Sequence, residues 1–502
     1  MSELHKKITT LKELKDNGWE SISVKEELRK NMIARVREGG DLFPNILGYE
    51  KTVLPQIQHA IFSKHDMILL GLRGQAKTRI LRSMVQFLDE YIPVVKGSVI
   101  NDDPLNPISK YAKSIIDEQG DDTEIAWLHR SYRYGEKLAT PDTTVADLIG
   151  DIDPIKAATK KLDLADENVI NYGLIPRTNR GIFVINELPD LQPRIQVALL
   201  NIMQERDIQI RGFNIRMPID VSMAFSANPE DYTNRGNIIT PLKDRIDAQI
   251  ITHYPREIEV GVKITQQEAW QDRESGIKVH ISDIYREIIE QTAFEARNSE
   301  YIDQKSGVST RMTITAMEQV FSSAERRAVI NNENSAQVRI ADIFHMVPAL
   351  TGKLELVYEG EQEGAISVAK HIIGKAINKT FKNIFPDPQS KAQSVKEIYQ
   401  SITDWFASGN EVNIPDVLSA EEYKKALNSV TGLKELVEKH IKNIENEELY
   451  ATMDLVLEAM YQNSLLSKQD LDDEAIYTDM LGSMFSSIGG MNDDEGYEDF
   501  DG

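Results

Sequence analysis

The sequence predicts an α/β fold, a parallel β-sheet flanked by helices, followed by a second half that is helical. Three observations predict it. Residues 67–70 form a short apolar run of strand type that enters a glycine-bearing loop, and the loop closes on Lys77-Thr78 at the head of a helical pattern. Two more apolar runs, 182–187 and 221–227, end in the polar pairs Asn186-Glu187 and Asn228-Pro229, the pattern of buried parallel strands whose carboxyl ends face a ligand. From residue 256 onward the apolar positions recur at helical spacing.

At 502 residues the chain is too long for one core, and about 100 to 200 residues per domain implies roughly three. Its 41% hydrophobic and 27% charged content is ordinary for a globular protein. Lys and Arg number 57 against 80 Asp and Glu, a formal charge of -23 that opposes broad electrostatic binding to nucleic acid or anionic membrane. With no cysteine there is no disulfide framework, thiol catalysis or Cys-ligated zinc, which suits a reducing cytoplasm. The nine histidines form no HExxH pair. No apolar run approaches the roughly 18 residues of a spanning helix, and the N-terminal segment is charged throughout. No membrane insertion and a cytoplasmic location are therefore expected.

In chain order, residues 1–40 read as a helical lead-in of two short helices, the second opened by a capping box, Ser23 to Glu26. Residues 41–255 read as the α/β core. A turn at Gly48 precedes a helix over 51–63 and could pack against an adenine. The stretch 93–180 reads as an irregular insertion with helices near 107–118 and 154–163. Within it Arg130, Arg133 and Lys137, interleaved with Trp127, Tyr132 and Tyr134, suggest either a groove for an anionic partner or a solvated loop. A helix carrying Ile195, Ala198, Leu199, Ile202 and Met203 on one face ends at Gln204-Glu205-Arg206, and 207–217 alternates as a hairpin. Residues 256–350 read as a helical lid with helices at 256–272, 282–297, 311–329 and 339–349. Residues 351–490 read as a helical extension with helices at 364–385, 391–406, 420–445 and 447–465. Residues 491–502, acidic and glycine-flanked, are expected to be disordered.

The chemistry concentrates in a few residues. The spacing from Gly71 to Thr78 fits G-x-x-x-x-G-K-[ST] apart from one place, where Ala76 stands for the second glycine. Such a loop, here Gly71, Gly74, Gln75 and Ala76, points backbone N–H groups at a polyphosphate. Lys77 can reach the β and γ phosphates and the Thr78 hydroxyl can sit on Mg²⁺. Glu187, at a strand end, can orient a water for attack on a γ phosphate. Asn228 can bond that water or the phosphate, or simply cap a turn. Arg245 follows a loop after the third strand. Arg311 opens a helix with Ser309 as its expected N-cap, and an exposed first-turn charge is its plain alternative.

Taken in order, the phosphate loop, the strand ending in Glu187, the helix ending in Gln204-Glu205-Arg206, the hairpin, the strand ending in Asn228-Pro229 and Leu242-Lys243-Asp244-Arg245 resemble the AAA+ ATPase core, a P-loop NTPase fold. Residues 173–181 and 199–206 resemble most closely the MoxR and magnesium-chelatase ATPase-subunit branch, over about residues 43–350. The resemblance implies ATP and Mg²⁺ as cofactors, Lys77 and Thr78 as Walker A, Glu187 as the Walker B catalytic carboxylate and Asn228 as sensor 1. It further implies Arg245 as an arginine finger acting on a neighbour's ATP, Arg311 as sensor 2, and a homo-oligomeric ring, typically a hexamer. Two positions depart from the family: Ala76 replaces a glycine, and Asn186 replaces the aspartate that, with Thr78, helps hold the metal. The implied function is a ring ATPase that remodels or activates a protein partner, with any von Willebrand A domain on a separate chain. Two alternatives are a nucleotide-gated scaffold with little turnover and an activator of sigma-factor-dependent transcription. The latter lacks a GAFTGA-type loop and a basic C-terminal helix-turn-helix here.

Overall fold

The computed structural model describes residues 7–161, 166–210, 216–229, 237–274, 276–471 and 474–480. The chain forms two compact units, Met1–Tyr254 and Pro255–Gly502. The first is built on five parallel strands: β1 (Met67–Leu70), β2 (Tyr134–Leu138), β3 (Gly181–Asn186), β4 (Val221–Ala227) and β5 (Ala248–Ile251). Their order across the sheet is β5-β1-β4-β3-β2. β3 and β4 are buried at every position because both faces are covered. Alternate side chains serve different cores. Phe183, Ile185, Met223 and Phe225 join Ile68 on one face, while Ile182, Val184 and Ala224 join Met67 and Leu69 on the other.

The register does the positioning. Leu70 lies opposite Ala227, and Phe225 opposite Ile185, so β1, β4 and β3 end together and Gly71, Asn228 and Glu187 emerge at one edge. Behind it sit α1 (Val24–Glu38), which buries Val24, Leu28 and Met32, and α2 (Val53–Phe62). Ser23 caps α1 by accepting from Glu26 N at 3.3 Å, while the Glu26 carboxylate pairs with Lys64 at 2.9 Å, so only half of the expected box forms. α3 (Lys77–Ser83) follows the loop, α4 (Pro193–Gln204) follows β3, and α5 (Thr240–Arg245) precedes β5.

The stretch 93–180 is not only an insertion, since it supplies β2, an edge strand of the main sheet. β2 pairs with β3 alone, and its half-exposed residues include Glu136 and Lys137, so no apolar run announces it. The groove suggested by Arg130, Arg133 and Lys137 does not form. Arg133 is 1% exposed and donates to Glu27 Oε1 at 2.7 Å, Glu27 Oε2 at 2.5 Å and Arg180 O at 2.8 Å. Trp127 donates to Ile8 O at 2.9 Å and meets Trp19 edge to face at 5.6 Å. These contacts, with the buried pair Lys25–Asp66 at 2.6 Å, fasten the N-terminal helices to the edge where the strands begin.

The second unit is mainly helical: Ile258–Glu268, Asp283–Arg297, Arg311–Ile330, Ala365–Ile384, Gln393–Ala407 and Asn446–Gln462 are its longer helices. One hydrophobic cluster runs from Tyr285 to Tyr477, so residues 285–350 share their core with the extension. The helix expected over 420–445 is two, Ala420–Asn428 and Leu433–His440, separated by Gly432 at φ 84°. A small antiparallel sheet of Val412–Asn413, Glu474–Thr478 and Ser467–Leu471 gave no apolar alternation to read. Its Lys468 and Tyr477 both donate to the buried Glu458, at 3.0 and 2.8 Å. Asp207–Gln209 and Arg216–Pro218 pair as the expected hairpin, whose tip and the acidic tail both lie outside the described residues. No helix among the described residues is long and apolar enough to cross a membrane.

Removing one member of a buried ion pair leaves a charge without compensation, at a cost of about 3 to 5 kcal/mol. Glu27→Ala should therefore lower the stability of the first unit by about that amount in urea denaturation, whereas Glu27→Leu combined with Arg133→Met should recover most of it. A loss below about 1 kcal/mol in the single variant would show that the pair is not needed.

Candidate nucleotide-binding site

The loop after β1 is shaped by its small residues. Gly71 donates to Ala227 O at 3.1 Å, and a Cβ there would lie 1.9 Å from Thr252 Oγ1 and 2.2 Å from Gln75 Oε1. Those two atoms are themselves bonded at 2.6 Å, which turns the buried Gln75 side chain inward beneath the loop. Gly74 has φ 74°, and Ala76 takes the left-handed conformation at φ 55°, ψ 15° as the N-cap of α3. A non-glycine residue there costs about 1 to 2 kcal/mol. The alanine thus keeps the loop shape that glycine would adopt freely.

Lys77 lies along this loop and is 8% exposed. Its Nζ donates to Gly71 O, to Leu72 O at 3.0 Å and to Asn228 Oδ1 at 2.8 Å, which ties the loop to the end of β4. At the next residue, Thr78 Oγ1 donates to Asn186 Oδ1 at 3.3 Å, and the buried Ser226 Oγ donates to the same oxygen at 3.0 Å. Glu187 follows in the left-handed region, φ 55° and ψ 50°, with its N–H 3.4 Å from Ser226 Oγ. Strained backbone at a strand end beside a phosphate loop is a mark of functional sites.

Six of the residues singled out in the sequence, Gly71, Lys77, Thr78, Asn186, Glu187 and Asn228, therefore meet at one edge. Arg245 ends α5 and is held by Gln204, with Arg245 Nε and Nη2 at 2.9 and 2.6 Å from Gln204 Oε1. Arg311 belongs to the second unit, where it is the exposed first residue of its helix. The N-cap there is Thr310 instead of Ser309, whose hydroxyl accepts from Arg311 N at 3.2 Å.

Four neighbours of the loop escaped the sequence pattern. Tyr49 OH donates to Gln75 O at 3.1 Å and His253 O at 2.7 Å, Thr52 Oγ1 meets His253 Nε2 at 2.8 Å, and Tyr254 OH donates to Arg73 O at 2.9 Å. Burial pushes the Tyr49 hydroxyl well above its ordinary pKa, so it remains a donor. Together with Thr252 these residues fasten the Gly48-Tyr49 turn and the end of β5 to the phosphate loop. The four-residue β5, half of it exposed, is too short for an apolar run to mark it.

Among the described residues no group of three His, Cys, Asp or Glu could hold a metal ion unaided. The oxygens of Thr78 and Asn186, close enough to share one ion, suit Mg²⁺ that arrives with phosphates, because that ion keeps several waters and needs few protein ligands.

A model of the sigma-54 interaction domain matches residues 165–251, which run from before β3 to the end of β5. The magnesium-chelatase 38 kDa subunit of Cereibacter sphaeroides is 26% identical over 238 residues, 45% of this chain and 64% of the relative. That of Rhodobacter capsulatus is 24% identical over 237 residues, 45% of this chain and 59% of the relative. These matches support an AAA+ ATPase related to the magnesium-chelatase 38 kDa subunits. The chain spans less than two thirds of the length of either relative. A structure of the complex between subunits BchI and BchD of magnesium chelatase is similar at 19% identity with a TM-score of 0.33, covering 64% of this chain and 98% of that one.

Ala76→Gly should relieve the left-handed strain and raise stability by about 0.5 to 1 kcal/mol, less than the full strain because glycine also frees the unfolded chain. Thermal denaturation should show a rise of roughly 1 to 4 °C for the unit. A fall in melting temperature would contradict the strain assigned to Ala76.

Proposed function

We propose that the chain binds ATP with Mg²⁺, hydrolyses it slowly as a homo-oligomeric ring, a hexamer, and uses the cycle to remodel or activate a protein partner. The observation that carries this is the single cluster of Lys77, Thr78, Asn186 and Asn228 at the ends of β1, β3 and β4. Lys77 would exchange its carbonyl and Asn228 bonds for phosphate oxygens. Thr78 and Asn186 would hold Mg²⁺, which when bound neutralises charge developing on the phosphates. Glu187 would orient the attacking water, Asn228 would bond that water or the γ phosphate, and Arg245 would reach across to a neighbour's ATP. Arg311 would act as sensor 2. The similarity to magnesium-chelatase 38 kDa subunits supports an ATPase that acts on a separate protein partner, and any von Willebrand A domain would lie on that other chain.

A nucleotide-gated scaffold is the second reading, favoured by the strain at Ala76 and the uncharged Asn186. The match to the sigma-54 interaction domain supports a third, activation of sigma-factor-dependent transcription. Turnover at saturating Mg-ATP separates the ATPase from the scaffold.

Charge-assisted bonds contribute about 1.5 to 3 kcal/mol and neutral ones about 0.5 to 1.5, so asparagine for aspartate should cost on the order of 1 to 2 kcal/mol of metal positioning. That is about 5- to 30-fold in affinity. Asn186→Asp should lower the Mg²⁺ concentration for half-maximal ATPase by a similar factor, and Glu187→Gln should bind ATP yet stop turnover. An unchanged Mg²⁺ dependence, or wild-type hydrolysis by Glu187→Gln, would remove β3 from the site.

Arg245→Ala should bind nucleotide and lose hydrolysis, and mixing it with Glu187→Gln subunits should restore part of the activity. No recovery in rings shown to be mixed would contradict a site shared between subunits.

A further inference from the structure

α4 ends on Gln204 and α5 ends on Arg245. The helices pack through Ile195, Leu199 and Leu242, all buried, so the spacing between their ends is set by core contacts. At that end Arg245 Nε and Nη2 donate to Gln204 Oε1 at 2.9 and 2.6 Å, and Nη1 donates to Pro241 O at 2.9 Å. A guanidinium has five N–H donors. Three are engaged, and one on each terminal nitrogen has no partner among the described residues. Both anchors are neutral, and no ion pair to Arg245 forms among the described residues, so the guanidinium is held by its neighbours without a countercharge.

We propose that Gln204 is a positioning residue for Arg245, holding the guanidinium by its inner edge so that its outer terminal N–H groups face a phosphate. The proposal rests on the arginine-finger role given to Arg245 above. The neutral amide matters as much as the bond. A carboxylate at 204 would hold the guanidinium equally well and take its charge, whereas an alanine would leave a long side chain to find its orientation anew in every cycle.

The full chain carrying Gln204→Ala, Gln204→Glu, Arg245→Ala or both alanines tests this by steady-state ATPase, ATP binding and thermal denaturation. Misplacing a reacting group by about 1 Å costs up to about 100-fold, so Gln204→Ala should lower kcat about 10- to 100-fold while ATP affinity stays unchanged. Gln204→Glu should keep or raise the melting temperature and still lower kcat at least severalfold, an effect that a merely structural glutamine would not produce. The double variant should be no slower than Arg245→Ala, because the two residues act as one unit. Gln204→Ala mixed with Glu187→Gln subunits should recover activity, as Arg245→Ala does. Wild-type kcat in Gln204→Glu, or a double variant slower than Arg245→Ala by the full Gln204 factor, would overturn the proposal. Wild-type kcat in Arg245→Ala would overturn the arginine-finger role itself and the proposal with it.

Discussion

The parallel, in-step register of β1, β4 and β3 is the constraint on which the rest of the first unit depends. Because Leu70 lies opposite Ala227 and Phe225 opposite Ile185, the three strands end together, and the first polar residues after them are brought within hydrogen-bonding distance. A slip of one residue would exchange the two faces of a strand and set each side chain into a core packed for one of a different size. The cores on the two faces therefore enforce the register, and the register places Lys77 against Asn228 and Thr78 against Asn186. The site follows from packing, and its strained residues, Ala76 and Glu187, sit where that packing is strong enough to hold them.

Both departures from the family pattern become intelligible at this level. Ala76 shows that the loop conformation can be kept without glycine at an energetic cost. Asn186 keeps an oxygen where an aspartate would place one and gives up its charge, while Ser226 donates to that oxygen and helps orient it. A site altered in this way retains its geometry and loses electrostatic strength, which is the basis of the slow turnover proposed above.

What could be read in advance was whatever has strong local signature. β1, β3 and β4 are largely apolar because both faces are buried, and the loop carries a spacing of glycines and Lys-Thr that suits a phosphate. β2 and β5, at the sheet's two edges, are short and partly exposed, so neither carries such a run. Arg133 misled for a related reason. Arginine is rarely buried, and its partner Glu27 lies 106 residues away, so spacing along the chain holds no trace of the pair. The contacts of Tyr49 and Thr252 with the loop were likewise invisible, because they depend on where β5 ends in space.

The central claim is that the edge where β1, β3 and β4 end is a site for Mg-ATP. Calorimetric titration of the purified chain with Mg-ATP, alongside Lys77→Ala, tests it most directly. The account predicts saturable binding in the micromolar to millimolar range for the wild type, and a loss of at least tenfold in a Lys77→Ala protein that unfolds at a similar temperature. Equal binding by the two proteins, or none by the wild type, would contradict it.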